Sequence, residues 1–593
     1  MNRRAIGRFF LTFYWSCITL PKKLAQGGNM ASITKKIKKG RPYYYAVESK
    51  RINGKPRIVW QKYLGTLDAI VKRTEDSKPP KPKHSVIFEA GGIAALLRIT
   101  QRLKFLDLIN TISPKREQGP RVGHYIILAA LNRALEPLSK LAIGNWYEQT
   151  ILRRLWGFDK SAFTSQRFWD HMDRLSEQDI EDIQERLVPH IEREFGIDAR
   201  ILLYDTTNFV TFLATTNGHS GLAQRGHSKQ KRNDFQHIGL ALLVTRDFQI
   251  PLFHKVYSGN IPDISLFPQL TSELVGRYKK VTGKTPGATL VFDKGNVTDD
   301  GMEDLVVGDA HFVAALSANQ CADLLATPHD EFQPIDGMPG AQAFDTTKIM
   351  WGKSCRIVVQ YTESFFTQQL QGLTQNLGKC QKKLLDLAKS LDRWRQGKSR
   401  GKKPTVRSVH MRVNAILSAQ FMKKLIQADV KEDTTSSIPL LNYSVDHTAL
   451  QHLSQERLGR TVLVSDHMQW SARQVIEAYR SLSVVENAFK NMKNTDFLRW
   501  QPAHHWTDQK LRVHALYCVL ALLVGSLASK VALEAGINLT LPALLKELSA
   551  IREVAVIYPP GTLARPKDHI TLSRMSAQQK KLALALKIGE TLG

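Results

Sequence analysis

Cysteine is scarce: five residues in 593, at Cys17, Cys321, Cys355, Cys380 and Cys518, never in CxxC spacing. That argues against a disulfide framework and a thiolate zinc site, and makes a reducing cytoplasm the natural compartment. Acidic residues are also short, with Asp+Glu 54 against Lys+Arg 83, a net charge of +29. So large a basic surplus fits a polyanionic partner, most simply nucleic acid. No GxxxxGK[ST] loop and no internal repeat is present, which argues against an NTP-driven motor. Long apolar runs are few. Phe9 to Leu20 follows Arg3, Arg4 and Arg8 but lacks a small-residue cleavage site and leads into a very basic stretch. Ala515 to Ser529, flanked by Arg512 and Lys530, is short for a bilayer span and reads as a buried core helix. No membrane partner is expected.

Residues 1–29 share nothing with the texture after them. Gly27-Gly28 can be encoded as a purine-rich ribosome-binding site just before the Met30 codon. Translation is expected to begin at Met30, with 1–29 a non-native or disordered leader. Residues 30–84 read as a small basic β-hairpin module: RPYYYAVESKR, the turn pair Asn53-Gly54, then KPRIVWQKYLG. Lys35, Lys36, Lys38 and Lys39 lead a cationic series interleaved with Tyr43, Tyr44, Tyr45 and Trp60. A solvated hairpin is the bland alternative to a DNA-binding module. Ser77 to His84, SKPPKPKH, is a linker pattern. Residues 85–196 are mostly helical and are assigned to a DNA-binding region. His124, His171 and His190 there lack ligand spacing.

From 197 to 320 the pattern turns to short buried strands: RILLYDTTNF, HIGLALLV, Pro251–Val256, ATLVFD and AHFVAAL, with a helix at Ile264–Tyr278. Three strands, a helix, a strand, a helix and a strand suit an α/β mixed sheet covered by helices. Residues 321–470 read as an inserted strand and helix domain, with strand pieces at Arg356–Thr362, Leu441–Val445 and Thr461–Val464. It carries a long basic helical hairpin from Phe365 to Ala428, tipped by Lys398-Ser399-Arg400-Gly401-Lys402-Lys403. Residues 471–535 return to the core, and 536–593 form a C-terminal tail.

The stretch Ser471–Lys493 reads as one helix, with Tyr479, Leu482, Glu486, Phe489 and Lys493 on one face. Glu486 falls on the stripe expected to face the core, so it needs a cation, either a structural salt bridge or a metal. Asp205 in the first strand and Asp293 at the end of a later one tilt that choice. Three carboxylates on a compact α/β core can converge on two divalent ions, and hard Mg²⁺ suits oxygen ligands and a phosphate substrate.

YDTTNF, GHSKQKRNDFQHIGLALLV, YSGNIPD, VFDKGN and the helix at 471–493 resemble the DDE transposases of bacterial insertion sequences. The branch is the one with a strand-rich insertion and a Tyr-Arg-Glu-Lys signature helix. Arg499–His514 and the apolar run after it are similar too, so the resemblance covers roughly Met30 to Ser529. It implies a ribonuclease H-like core, with Asp205, Asp293 and Glu486 as catalytic metal ligands for Mg²⁺ (Mn²⁺ as a substitute). Tyr479 and Lys493 would contact phosphates flanking the cleaved end. The implied activity is binding of terminal inverted repeats, phosphodiester hydrolysis, and transfer of the 3′-hydroxyl ends to target DNA. It also implies a homodimer in the active complex and a nucleoid-associated place in the bacterial cytoplasm. The chain departs from the signature at Leu482, where Arg is expected, and Arg480 lies about 200° away around a helix. Two alternatives stand: a metal nuclease that cuts without joining, and an inactive DNA-binding relic. His504, His505 and His514 are assigned a structural or phosphate role rather than zinc binding.

Overall fold

The computed structural model describes residues 32–592 except 77–81, 116–117, 215, 227–231, 233, 283–287, 308–309, 434–435 and 559–568. The leader expected at 1–29, most of the linker and part of the basic stretch after Asp205 lie outside the described residues. The chain divides into two compact units: residues 1–86 with 554–571, and 87–553 with 572–593.

In the first unit β1 (Ser32–Lys38), β2 (Arg41–Ile52) and β3 (Lys55–Gly65) form an antiparallel sheet in chain order, followed by α1 (Leu67–Asp76). The β2–β3 turn has positive φ at both Asn53 (53°) and Gly54 (78°). That is the two-residue geometry whose twist matches the strands, and Asn-Gly adopts it at least cost. β1 adds a third strand to the expected hairpin.

The second unit begins, after β4 (His84–Glu89), with helices α2 (Gly91–Arg102), α3 (Phe105–Ile112), α4 (Val122–Leu135), α5 (Ile143–Glu148), α6 (Leu152–Trp156), α7 (Ser165–Met172) and α8 (Glu177–Phe195). α8 starts with a reciprocal Ser176–Asp179 capping box and stops at Gly196, φ 58°. His171 stacks on Tyr125 at 3.8 Å, and His124 meets Trp156 and Phe158 edge-on. Both are packed side chains.

The sheet region follows as β5 (Ile201–Val210), β6 (His237–Thr245), β7 (Pro251–Ser258), α9 (Asp263–Thr282), β8 (Thr289–Phe292), α10 (Asp299–Val307) and β9 (His311–Ala315). This is the expected order, and β6 and β8 are buried along their whole length, as uninterrupted apolar runs require. Next come α11 (Ala322–Leu325), β10 (Gln333–Pro334), β11 (Ala341–Met350), β12 (Lys353–Thr362), α12 (Glu363–Arg395), α13 (Val406–Ile416), α14 (Met422–Leu425), β13 (Ile426–Lys431), β14 (Leu440–Val445), α15 (His447–Glu456) and β15 (Arg460–Ser465). The main sheet has nine strands in the order β10-β11-β12-β15-β9-β8-β5-β6-β7. β8 runs parallel to β5 and β9, and the other pairs are antiparallel. The protein is therefore α/β, a large mixed sheet flanked by helices.

That sheet reaches into residues 321–470, because β10, β11, β12 and β15 are among its strands. Only the middle of the segment has its own core, from Leu373 to Leu458, built by α12 to α15 with β13 and β14. The basic helical hairpin also ends sooner than its sequence suggests, since Ile426–Lys431 is strand.

The chain closes with α16 (Ala472–Arg480), α17 (Leu482–Met492), α18 (Asp508–Glu534), α19 (Leu541–Ser549), β16 (Arg552–Ile557), β17 (His569–Leu572), α20 (Ala577–Ala585) and α21 (Ile588–Leu592). The single helix expected over 471–493 is two, interrupted at Ser481, whose hydroxyl bonds back to the Ala478 carbonyl at 2.5 Å. α18 is longer than the apolar run within it and could cross a membrane by length and composition, but 83% of its most apolar window is buried inside the protein. It packs against α4 and α2, and Lys510 near its start pairs with Asp173 at 2.7 Å.

Candidate active site on the central sheet

Parallel pairing sets Ile201, Leu202 and Leu203 of β5 opposite Thr289, Leu290 and Val291 of β8. Continuing two residues along both strands brings Asp205 level with Asp293. Asp293 directly follows β8 and keeps an extended backbone, φ −80° and ψ 158°. Neighbouring strands lie about 4.8 Å apart, and residues two apart share a face, so the two carboxylates are lateral neighbours on one side of the sheet. Eighty-eight residues of sequence separation vanish because of one strand pairing.

α17 packs against β5 and brings the third group. Lys493, at its C-terminal end, donates from Nζ to Thr207 Oγ1 at 2.6 Å and lies 5.3 Å over the Phe209 ring. Thr207 and Phe209 continue the alternation from Asp205, so α17 crosses the face that carries Asp205. α16 adds Tyr479, whose hydroxyl donates to Asp293 Oδ1 at 2.8 Å. Burial, then the charge of Asp293 and this bond, then the charge of Glu486 raise the Tyr479 pKa above its ordinary value. Tyr479 therefore sits within reach of both carboxylates as a neutral donor.

Glu486 differs from its expected setting. It is exposed, not part of the buried stripe. The apolar stripe of α17 is Leu482, Val485, Ala488, Phe489 and Met492, and Glu486 lies at its edge, about 100° around the helix from Val485. The burial argument for a cation partner thus fails, although Glu486 makes no ion pair among the described residues. Leu482 is 8% exposed and belongs to the core. Arg480 is turned elsewhere, with Nη1 3.7 Å from Met338 Sδ, and does not replace the missing signature Arg.

Several supporting residues escaped the sequence reading. Arg133, 1% exposed on α4, donates from Nη1 to the Gln501 carbonyl at 2.7 Å and from Nη2 to the Leu138 carbonyl at 3.1 Å. It fixes the segment after α17, where Trp500 stacks on Phe209 of β5 at 4.2 Å. The available signal was a lone Arg inside the apolar run YIILAALNRAL. His514 bonds to the Trp500 carbonyl at 2.8 Å and to the Tyr517 hydroxyl at 2.5 Å. Burial drives the pKa of His505 and His514 down, so both are neutral structural groups. Gly259, in YSGNIPD, has a steric reason: a Cβ there would stand 1.9 Å from the His237 carbonyl oxygen. Thr207, inside the quoted YDTTNF, gave no signal of its own as the partner of Lys493.

The three carboxylates do not bring their oxygens within 4.8 Å of one another. Among the described residues one group of three does: His311, Asp466 and His467. The atoms of that group are already engaged in hydrogen bonds. Asp466 accepts the Phe312 backbone N–H at 2.9 Å, His311 Nδ1 at 2.9 Å and Lys353 Nζ at 3.2 Å, while His467 Nε2 meets Thr289 Oγ1 at 2.6 Å. The His467 ring lies between those of His311 and Trp470, at 4.3 and 3.9 Å. Burial, then the His311 charge, pushes the His467 pKa down to about 4. A Lys already on the carboxylate and stacked rings favour a hydrogen-bonded clamp over ion ligation. By contrast, Asp205, Asp293 and Glu486 offer only oxygens, and the hydrogen-bond partner of Asp293 is a neutral hydroxyl, a set that fits a hard cation.

Of the four lysines assigned to DNA, all are exposed in or beside β1. They belong to the first unit.

No family model matches the chain, and no curated protein matches it. Among solved structures, the chain is similar to a piggyBac transposase in a synaptic complex with hairpin DNA, with 9% identity and a TM-score of 0.34, over 77% of this chain and 79% of that one.

Proposed function

We propose that the chain is a DDE-type DNA transposase with a ribonuclease H-like core. The observation that carries this reading is the β5–β8 register that sets Asp205 beside Asp293, with α16 and α17 fastened over the same face through Tyr479 and Lys493. Asp205, Asp293 and Glu486 would hold Mg²⁺, or Mn²⁺ in its place, which when bound activates the attacking oxygen and stabilises the leaving one. The residues of the chain do the rest. Tyr479 and Lys493 end in donors aimed at Asp293 and Thr207. Exchanging those acceptors for phosphate oxygens would seat the DNA strand against the carboxylates. Water is the first nucleophile and the freed 3′-hydroxyl the second, so no covalent protein–DNA bond forms. The DNA would be the inverted repeats of the protein's own element, paired by a homodimer in the bacterial cytoplasm, and then target DNA.

Leu482 favours a second reading, an inactive DNA-binding relic, because the signature Arg is replaced by a packed apolar side chain. One experiment separates the readings. The full chain is incubated with Mg²⁺ and labelled duplexes carrying the sequences that flank its reading frame. Nicking at the repeat ends followed by joined products supports the transposase. Nicking without joining supports a nuclease, and binding without nicking supports the relic.

A further inference from the structure

The β1–β3 sheet has two different faces. Pairing sets Lys38 opposite Arg41, Lys36 opposite Tyr43, Thr34 opposite Tyr45, and Tyr45 opposite Tyr63. Cross-strand partners share a face, and so do alternate residues along a strand. Lys36, Lys38, Arg41, Tyr43, Tyr45 and Tyr63 are therefore on one side. Lys35, opposite Tyr44, and Lys62, opposite Ala46, are on the other. The four lysines grouped by sequence do not share one face of the sheet.

The first face is a built surface. Lys38, Lys39, Arg41, Tyr43, Tyr45 and Tyr63 line one open concavity of about 890 Å³. The Tyr63 ring lies 6.0 Å from Tyr43 and 5.2 Å from Tyr45, and Lys36 Nζ stands 5.0 Å over the Tyr45 ring. The three phenol rings pack on one another, and Lys36 also donates to Gln61 Oε1 at 3.3 Å. Glu48 is the one acidic residue in the three strands. It pairs with Trp60 on the opposite face, where it meets Lys50 at 3.7 Å. The concave face thus presents ammonium, guanidinium and phenol donors with no carboxylate among them.

We propose that this concave face grips the phosphate backbone of duplex DNA, with Lys36, Lys38, Lys39 and Arg41 on the phosphates and the three tyrosines as their platform. Charge complementarity is the argument for a polyanion. The inference rests on the reading of the chain as a DNA-handling enzyme, and it narrows the expected contacts by removing Lys35.

The test uses the full chain and two triple variants with equal loss of charge. One is Lys36→Gln, Lys38→Gln, Arg41→Gln on the concave face. The other is Lys35→Gln, Arg57→Gln, Lys62→Gln on the opposite face. Binding to a duplex of about 30 base pairs is followed by anisotropy between about 50 and about 200 mM salt. The first triple is expected to weaken binding at least about tenfold and to reduce the salt slope by about 2 to 3, one contact per lost charge, while the second stays within about threefold. A charge-preserving control, Lys36→Arg, Lys38→Arg, Arg41→Lys, should keep near-native affinity, which separates lost charge from misfolding. Equal losses in the two neutralised triples, or no loss in the first, would overturn the face and leave the transposase reading standing. A wild-type chain that binds no duplex would overturn both.

Discussion

Two groups of polar side chains lie at opposite ends of one short strand. Asp293 leaves the C-terminal end of β8 beside Asp205, while Thr289, the first residue of β8, holds His467 of the His311–Asp466–His467 cluster. The cluster is the tighter of the two and meets the geometric requirement for ligating an ion. The carboxylate group does not. Tightness is misleading here, because the cluster is tight through its own hydrogen bonds. The His, Asp, Lys and Thr side chains satisfy one another, so closeness alone does not mark an ion site. The ends also differ topologically, since ligands in α/β sheets gather outside the carboxyl ends of parallel strands, where Asp293 lies.

The sharpest way to break this comparison is to neutralise each group separately. Asp205→Asn, Asp293→Asn or Glu486→Gln is expected to cut the Mg²⁺-dependent nicking rate by at least about 10³-fold, with end binding within about threefold. Appreciable nicking by Glu486→Gln would unseat the third carboxylate.

Asp466→Ala should do the reverse. Its side chain is 3% exposed and accepts from Lys353, His311 and the Phe312 N–H, so urea unfolding should show a loss of about 3 kcal/mol. Nicking per folded molecule should be unchanged. If added Zn²⁺ stabilised the wild type but not this variant, the clamp would be an ion site after all.

Installing the signature residue, Leu482→Arg, is expected to cost about 1–3 kcal/mol by placing a charge in a packed apolar position, with no gain in nicking. A gain would mean that α17 can turn this position toward DNA.

The smallest effect is on pH. The folded-state pKa of His467, about 4, is below the ordinary His value near 6.5, so folding favours the neutral ring. Its contribution is present above about pH 6.5 and is lost as pH falls toward about 4. The melting temperature should therefore drop over that window, and less steeply in His467→Asn. Equal slopes would remove His467 from the clamp's energetics.

Much of the fold was legible because buried strands are written as short continuous apolar runs. The run of β5 to β9 could be read that way, and so could the strand positions of Asp205 and Asp293. The Asn53-Gly54 hairpin was legible because few other dipeptides adopt two successive positive φ values. Less visible were features that depend on pairing at a distance. Joining β15 to β9 and β12 carries the main sheet through the expected insertion. The clamp joins residues 155 positions apart. Ser481 illustrates a different limit: Ser481, Ser483, Val484 and Val485 are weaker helix formers, yet apolar residues keep helical spacing through them, so periodicity alone reads one helix where there are two.

By itself the sequence determined the local grammar: which stretches are strands or helices, the surplus of positive charge, and the residue types that could hold an ion or a phosphate. These follow from periodicity, propensity and composition, which act over a few residues. Only the tertiary structure decided which of those residues meet. The β5–β8 register puts Asp205 beside Asp293, the packing of α17 leaves Glu486 at the surface, and the β1–β2 register turns Lys35 away from Lys36 and Lys38. Register and helix phase are set by the packing of whole elements, and a shift of one residue in a strand sends every side chain to the other face.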